Sequence, residues 1–361
     1  ILFDWMYLHC IAYRFEQAYE KLEESRLICE RLGSAEAHKG YVRNAGLFYF
    51  HSGDAQRCLH YRLEQLRLTE TSADALELAS CYADLGGVYL KLGEYDKSWE
   101  YMSKGLLMVR KVGDIFFEAR IHHNSSIILL FLGLYELAID ASKSAGDIFK
   151  QVGNMFAYNM ALSTLGYLYH KDGKLLLARD ILNQSVALLR ELNDGKAVLA
   201  GVWYYLGCLL LDLDELDEAL NTFRIAEVTL VEVSLTNMHL ENWAGLGLAL
   251  SRQGKIGEAL EYAEKVWTHL KKSGQEGITG EWDWAQVSVQ LYKVFKVADD
   301  PRAIDVLKLA YSTLQTRAEK IATPEIRESY LINFPEHAQI TAYYAAEEVQ
   351  LPHEIFNRSS H

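Results

Sequence analysis

The sequence predicts an all-α protein, a right-handed α-solenoid of about eight helix-turn-helix repeats followed by a C-terminal capping segment. Small residues recur about every 40 residues, the length of a two-helix repeat. Glycines recur with the same period at positions between these small residues. All four prolines, Pro301, Pro324, Pro335 and Pro352, lie beyond residue 300. Because proline disrupts a helix interior, this distribution agrees with a long helical array.

The recurring small residues mark the second helix of each repeat. Their successive separations are 40, 40, 40, 40, 41, 40 and 44 residues, and they are Ala18, Cys58, Ser98, Ala138, Ala178, Ala219, Ala259 and Ala303. A single repeat of this kind cannot bury its own apolar face, so neighbouring repeats must share a core. We therefore place function on the surface that the stacked repeats form together.

Two further columns of small residues describe the first helix and the turn after it. One column lies inside the first helix, where it lets the second helix cross close to the backbone: Gly46, Gly86, Ser126, Gly166, Gly207 and Gly247. The other falls where the first helix ends: Gly53, Gly93, Gly133, Gly173 and Gly254, with Asp214 as the one exception. Glycine readily adopts the left-handed conformation that ends a helix, and Asp tolerates it better than most residues.

These positions resemble the tetratricopeptide repeat in its longer-period form. The resemblance runs from about Trp5 to Tyr311, and the repeats around Ala18 and Ala303 match it least well. It implies a solenoid over residues 1–322. We expect capping helices over residues 323–349 and a disordered tail over residues 350–361.

Composition excludes several classes of protein. The 361 residues are 50% hydrophobic with a mean hydropathy of −0.07, and no apolar run approaches the ~20 residues of a membrane span. The net charge of −13 argues against nucleic acid and anionic membranes as general partners. Five cysteines without short spacing favour a reducing, cytoplasmic location over a disulfide framework or a zinc site.

The sequence contains no recognisable catalytic motif. HExxH, GxxxxGK[ST] and GxSxG do not occur, although each would mark a familiar active site. The pair His122-His123 projects its rings about 100° apart on a helix, which does not suit one metal ion. We therefore expect no enzyme, no metal and no cofactor.

The resemblance places the binding surface on the first helices, which line the concave face and hold a protein or peptide partner. The candidates are Arg43, Asn44, Phe50, Arg120, His123, Asn124, Tyr167, His170, Tyr204 and Tyr292. Aromatic rings and Arg are common at interface hot spots. Packing between repeats is the alternative for each aromatic residue, and a solvated charge is the alternative for Arg43 and Arg120. A small-molecule inducer held between repeats by Arg43, Arg120, His123 or Tyr167 remains the second hypothesis.

The C-terminal segment carries a narrower resemblance. Residues Arg327 to His337 read RESYLINFPEH, which resembles the closing motif after tetratricopeptide arrays in bacterial signalling ATPases of the STAND class. In that family the array is the sensor arm of a larger protein. Because the chain opens with Ile1 rather than Met, we expect upstream domains of the same polypeptide.

Overall fold

The fold is built from helices only, as the sequence predicts. A computed structural model describes residues 2–11, 14–70, 74–192, 195–232, 239–279 and 284–350, and these ranges contain no strand. Most of the expected tail, residues 351–361, lies outside them. The helices are α1 (Leu2–Ile11), α2 (Phe15–Leu32), α3 (Ala35–Ser52), α4 (Ala55–Thr69), α5 (Ala75–Lys91), α6 (Tyr95–Val112), α7 (Ile115–Phe131), α8 (Tyr135–Gln151), α9 (Met155–Lys171), α10 (Leu175–Leu192), α11 (Lys196–Asp212), α12 (Leu216–Glu232), α13 (His239–Arg252), α14 (Ile256–Thr279), α15 (Trp284–Val297), α16 (Arg302–Glu319), α17 (Pro324–Ile332) and α18 (Pro335–Gln350).

Helices α1 to α16 pack as consecutive antiparallel pairs, and the second helix of each pair also packs against the first helix of the next. All eight recurring small residues are buried in these pairs. The hydroxyl of Ser98 donates to the carbonyl oxygen of Gly86 at 2.6 Å, and the thiol of Cys58 donates to that of Gly46 at 3.2 Å. The two predicted columns of small residues therefore meet where the helices of one repeat cross.

The turns after the first helices α3, α5, α7, α9, α11 and α13 have the predicted left-handed residue. The backbone φ angle is positive at Gly53, Gly93, Gly133, Gly173 and Gly254, and it is +64° at Asp214. This conformation reverses the chain within two or three residues, so the second helix begins beside the end of the first.

The first helices form the inner row of the superhelix. From α5 to α15, each first helix contacts the first helix of the following repeat. Among the second helices, a comparable contact is made by α14 with α16. In a curved stack the more closely spaced row lies on the concave side. We call the exposed surface of these first helices the inner face.

The C-terminal helices also contact repeats that lie much earlier in the chain. Helix α18 packs on α15 and α16, which is where a terminal cap belongs. In addition, residues 317–337 lie across the turns that end α5 and α7 and reach the end of α9. We call residues 317–337 the clasp. The sequence did not predict this backward reach.

At the end of α5 the clasp makes polar contacts through three residues, Arg317, Lys320 and Ala322. The guanidinium of Arg317 is buried against Gly93 and donates to the Tyr95 hydroxyl at 3.3 Å. The backbone N–H of Ala322 donates to the carboxylate of Asp96 at 2.6 Å. Because Asp96 lies in the first turn of α6, this contact joins the clasp directly to the third helix pair.

At the end of α7 the clasp supplies partners for helix-end carbonyls. The hydroxyl of Ser329 donates to the carbonyl oxygen of Leu132 at 2.8 Å, and the Asn333 amide donates to that of Gly133 at 3.4 Å. In return, the Tyr135 hydroxyl donates to the carbonyl oxygen of Asn333 at 3.0 Å. The last carbonyls of a helix have no partner within the helix, so these bonds satisfy groups that would otherwise need water.

The crossing of α11 and α12 provides a test of the close helix approach. A Cβ atom added at Gly207 would lie 2.5 Å from Cε1 of the buried Phe223 ring. We expect Gly207→Ala to lower the free energy of unfolding by ~1–3 kcal/mol, because the ring cannot move without disturbing its own packing. Urea denaturation measures the change.

Gly40→Ala is the matched control. Gly40 lies inside α3, and no atom lies within 4 Å of the position that its Cβ would take. Alanine there should stabilise the helix by ~0.5–1 kcal/mol. Similar effects of the two substitutions would contradict the role of Gly207 in helix crossing.

Candidate functional site

The inner face contains a pocket formed by four successive first helices. Residues of α7, α9, α11 and α13 line a hollow on this face that is open to solvent. Its lining consists of Ile127, Leu130, Phe131, Thr164, Tyr167, Tyr204, Tyr205 and Glu241. We call this the inner pocket. Most of its lining is apolar or aromatic, so it suits an apolar group with a few polar neighbours.

Helical spacing brings these side chains to one surface. On α7, Leu130 and Phe131 lie three and four positions after Ile127, and on α9 Tyr167 lies three positions after Thr164. Residues at this spacing are neighbours on a helix surface. The Tyr167 and Tyr205 rings stack with centroids 4.4 Å apart, which joins α9 to α11. The carboxyl-bearing residue Glu241 is largely buried at the far side.

The structure does not bring the ten predicted residues together. Tyr167 and Tyr204 line the inner pocket. Four others keep exposed or partly exposed side chains on their helices, and these are Arg43, Phe50, Arg120 and Asn124. The remaining four are buried, and these are Asn44, His123, His170 and Tyr292.

Three of the buried candidates bind other parts of the chain. Asn44 donates to the Ser25 hydroxyl of α2 at 3.4 Å. A ring nitrogen of His170 lies 2.7 Å from the Asp212 carboxylate at the end of α11. The Tyr292 hydroxyl donates to the Glu347 carboxylate of α18 at 2.9 Å. These side chains join neighbouring helices, as the packing alternative anticipated for aromatic positions.

The exposed candidates have neighbours on their own side of the array. The ammonium of Lys91 lies 3.9 Å from the centroid of the Phe50 ring and donates to the Phe50 carbonyl oxygen at 2.8 Å. The guanidinium of Arg120 lies 5.0 Å from the centroid of the Phe117 ring. Cations over aromatic faces contribute modest stabilisation, so both contacts leave these surfaces available to a partner.

Six residues of the lining are not among the ten candidates: Ile127, Leu130, Phe131, Thr164, Tyr205 and Glu241. For two of these residues, Thr164 and Tyr205, the alignment of the repeats contained a signal. Asn124, Thr164 and Tyr205 recur with the same spacing as the buried small residues of these repeats. They occupy one structural position, and Asn124 had been selected without its two equivalents.

A buried ion pair lies beside the inner pocket, at the junction with the clasp. The ammonium of Lys171, at the end of α9, lies 2.5 Å from the Glu336 carboxylate, and the two side chains are 2% and 8% exposed. The ammonium also donates to the Gln286 side-chain oxygen at 2.5 Å. Buried charges are tolerated when paired and hydrogen-bonded in this way.

The described residues contain no group of three or more histidine, cysteine, aspartate or glutamate side chains that could hold a metal ion. Burial raises the pKa of the Cys58 and Cys81 thiols to about 11, and a thiol of high pKa is a poor nucleophile. Within the same ranges, no helix is long and apolar enough to cross a bilayer.

Comparison with known proteins shows the fold. No family model matches the chain, and no curated protein does. A Rap protein complexed with competence and sporulation factor has a TM-score of 0.63 at 14% identity, over 96% of this chain and 98% of that one. The Rap conjugation gene regulator of plasmid pLS20, in complex with the Phr* peptide, has a TM-score of 0.58 at 14% identity, over 87% and 96%. NprR in complex with its cognate peptide NprX has a TM-score of 0.57 at 13% identity, over 97% and 97%. At these identities the similarity shows that the chain shares their helical-repeat fold.

The buried His123 gives stability a pH dependence. Burial lowers its pKa to about 4, below the ordinary value of ~6.5 in an unfolded chain. The unfolded state therefore takes up a proton first as the pH falls, and stability is lost below pH ~6.5. We expect His123 to account for a loss of about 2 kcal/mol between pH ~7.5 and ~5.

Urea midpoints measured across this range in the wild type and in His123→Leu test the expectation. The variant should retain about 2 kcal/mol more of its own stability over the same interval. Parallel curves for the two proteins would show that His123 does not titrate as its burial requires.

Proposed function

We propose that the chain binds a peptide or an extended protein segment along its inner face, without catalysing a reaction. The observation that carries the proposal is the inner pocket, which four first helices form from aromatic and aliphatic side chains. It is suited to receive one apolar side chain of the partner. Rigid aromatic walls provide contact area at a small entropic cost.

Polar residues on the same face suit the backbone of such a partner. Asn124 is partly exposed on α7, and the equivalent position in the next repeat is Thr164, which lines the pocket. An amide donates and accepts hydrogen bonds at once, and a hydroxyl does the same. We propose that Asn124 and Thr164 bind main-chain groups of the partner, with Arg120 one helical turn away.

The solved structures support a peptide as the partner. The pLS20 regulator is described in complex with the Phr* peptide, and NprR in complex with its cognate peptide NprX. Both share the fold of this chain over most of their length. The fold alone does not transfer a ligand, so the inner pocket carries the argument and these complexes add to it.

A small-molecule inducer is the second candidate, because the inner pocket combines an apolar and aromatic lining with the Thr164 hydroxyl and the Glu241 carboxyl group, as small-ligand sites do. The two candidates differ in the length of the occupant. A peptide would extend beyond the pocket to Asn124 and Arg120, whereas a small molecule would depend on the pocket residues alone.

We further propose that the array serves as the sensor arm of a larger signalling protein. The support is the resemblance of residues Arg327 to His337 to the closing motif of STAND-class proteins. The coding sequence upstream of Ile1 tests this proposal. A phosphate-loop motif there would support it, and an initiating Met a few residues upstream would contradict it.

Filling the inner pocket should abolish binding. Peptides selected from a random displayed library against the wild-type chain should lose at least ~10-fold in affinity for Thr164→Phe, because the added ring occupies the space of the partner's side chain. Isothermal titration calorimetry measures the affinities. Asn124→Ala should weaken peptides but leave a pocket-sized ligand unaffected.

Leu176→Phe is the matched control, since Leu176 is 72% exposed on the second helix α10. It introduces the same aromatic ring on the outer wall and should leave affinity unchanged. Equal binding by Thr164→Phe and Leu176→Phe would place the binding site elsewhere. A library that yields no binding peptide would contradict the proposed function itself.

A further inference from the structure

The inner pocket and the clasp are connected through two side chains that line the pocket. Phe131 and Tyr167 both line the pocket. Each also contacts the clasp, Phe131 directly and Tyr167 through Lys171. The clasp reaches these helices from the far end of the chain, so nothing in the local repeat pattern requires the connection.

The first connection is aromatic. The Phe131 ring, at the end of α7, packs against the Phe334 ring with centroids 5.7 Å apart. Phe334 is fully buried, and it also contacts the His337 ring at 4.6 Å. A buried ring in close packing has little freedom to move, so the position of Phe334 determines where the Phe131 wall of the pocket stands.

The second connection is electrostatic. The Lys171 ammonium lies 5.1 Å from the centroid of the Tyr167 ring and 5.3 Å from that of Phe334. Glu336 of the clasp is its partner in the buried ion pair. If Glu336 were neutral, the buried ammonium would lose the negative charge of Glu336, which is unfavourable. Lys171 would then move toward water and leave the Tyr167 ring.

We propose that the clasp positions the inner pocket, with Phe334 and Glu336 as positioning residues that do not touch the ligand. The inference rests on the proposed function for its biological meaning, because it assigns a control element to that site. The coupling is reciprocal: a docked clasp favours occupancy of the pocket, and occupancy favours the docked clasp to the same extent.

A fluorine label in the pocket tests the positioning without any ligand. Thr164→Cys, on a Cys29→Ser background, is labelled with a trifluoromethyl reagent and observed by ¹⁹F NMR. Cys29 is replaced because it is the partly exposed thiol, and Cys10, Cys58, Cys81 and Cys208 are buried. We expect Glu336→Gln to shift or broaden the signal from position 164.

Glu232→Gln is the matched control, because it makes the same chemical change in the exposed Lys196–Glu232 pair. Its spectrum should equal that of the labelled parent. Ser329→Ala is a milder second variant that removes the bond to the Leu132 carbonyl and leaves the ion pair intact. It should also shift or broaden the signal from position 164, and it provides the test if Glu336→Gln does not fold. Spectra of the clasp variants identical to that of the parent would overturn the proposal.

Affinity gives the second measurement. For a peptide obtained from the displayed library, Glu336→Gln should raise Kd by at least ~5-fold, and the bound peptide should slow hydrogen exchange in α17, the helix within the clasp. An unchanged Kd would overturn the coupling. Failure to obtain any peptide would count against the proposed function, whereas the fluorine spectra would still decide whether the clasp positions the pocket.

Discussion

The close crossing of two helices at paired small residues is the constraint on which the rest of the structure depends. In the second and third repeats a buried small residue of the second helix bonds to the backbone of a first-helix glycine, as Ser98 bonds to Gly86. The short distance between the helices leaves room for only a two- or three-residue turn, which requires the left-handed backbone seen at Gly93 and Asp214. Repetition of this unit places the first helices in one inner row, and their side chains meet there as a pocket.

The clasp shows how polar groups at helix ends can organise a repeat array. Each first helix ends in carbonyl groups without partners inside the helix, and a stack of repeats presents these ends along one edge. Ser329, Asn333 and Arg317 bind along that edge, while Tyr330, Phe334 and His337 fill the space beneath it. Polar bonds thus determine the register of the clasp, and apolar burial provides most of its stabilisation.

The fold was predictable because the residues that determine each helix pair lie close together in the sequence and recur from repeat to repeat. Helix, turn and helix lie within a single period of the sequence, and each repeat confirms the previous one. The pocket was predictable in part, through Tyr167 and Tyr204, but Phe131 and Tyr205 depend on how neighbouring first helices rotate against each other. Burial of Asn44 by α2 and of Tyr292 by α18 follows from packing between elements, which the repeat pattern does not specify. The clasp was beyond sequence reasoning, since its residues and their partners lie 165 to 228 residues apart.

The same long-range contacts alter how the array can lose its structure. An open stack behaves as a one-dimensional chain of nearest neighbours, in which a terminal repeat can melt while the others remain folded. Here hydrogen bonds join the last helices to the third and fourth helix pairs, so long-range contacts enclose the repeats that lie between them. Unfolding at the C-terminal end therefore removes contacts from the middle of the array. The closure raises the cooperativity of the array above that of a linear solenoid. It also adds contacts of high sequence separation, which slow the last step of folding relative to the formation of the individual repeats.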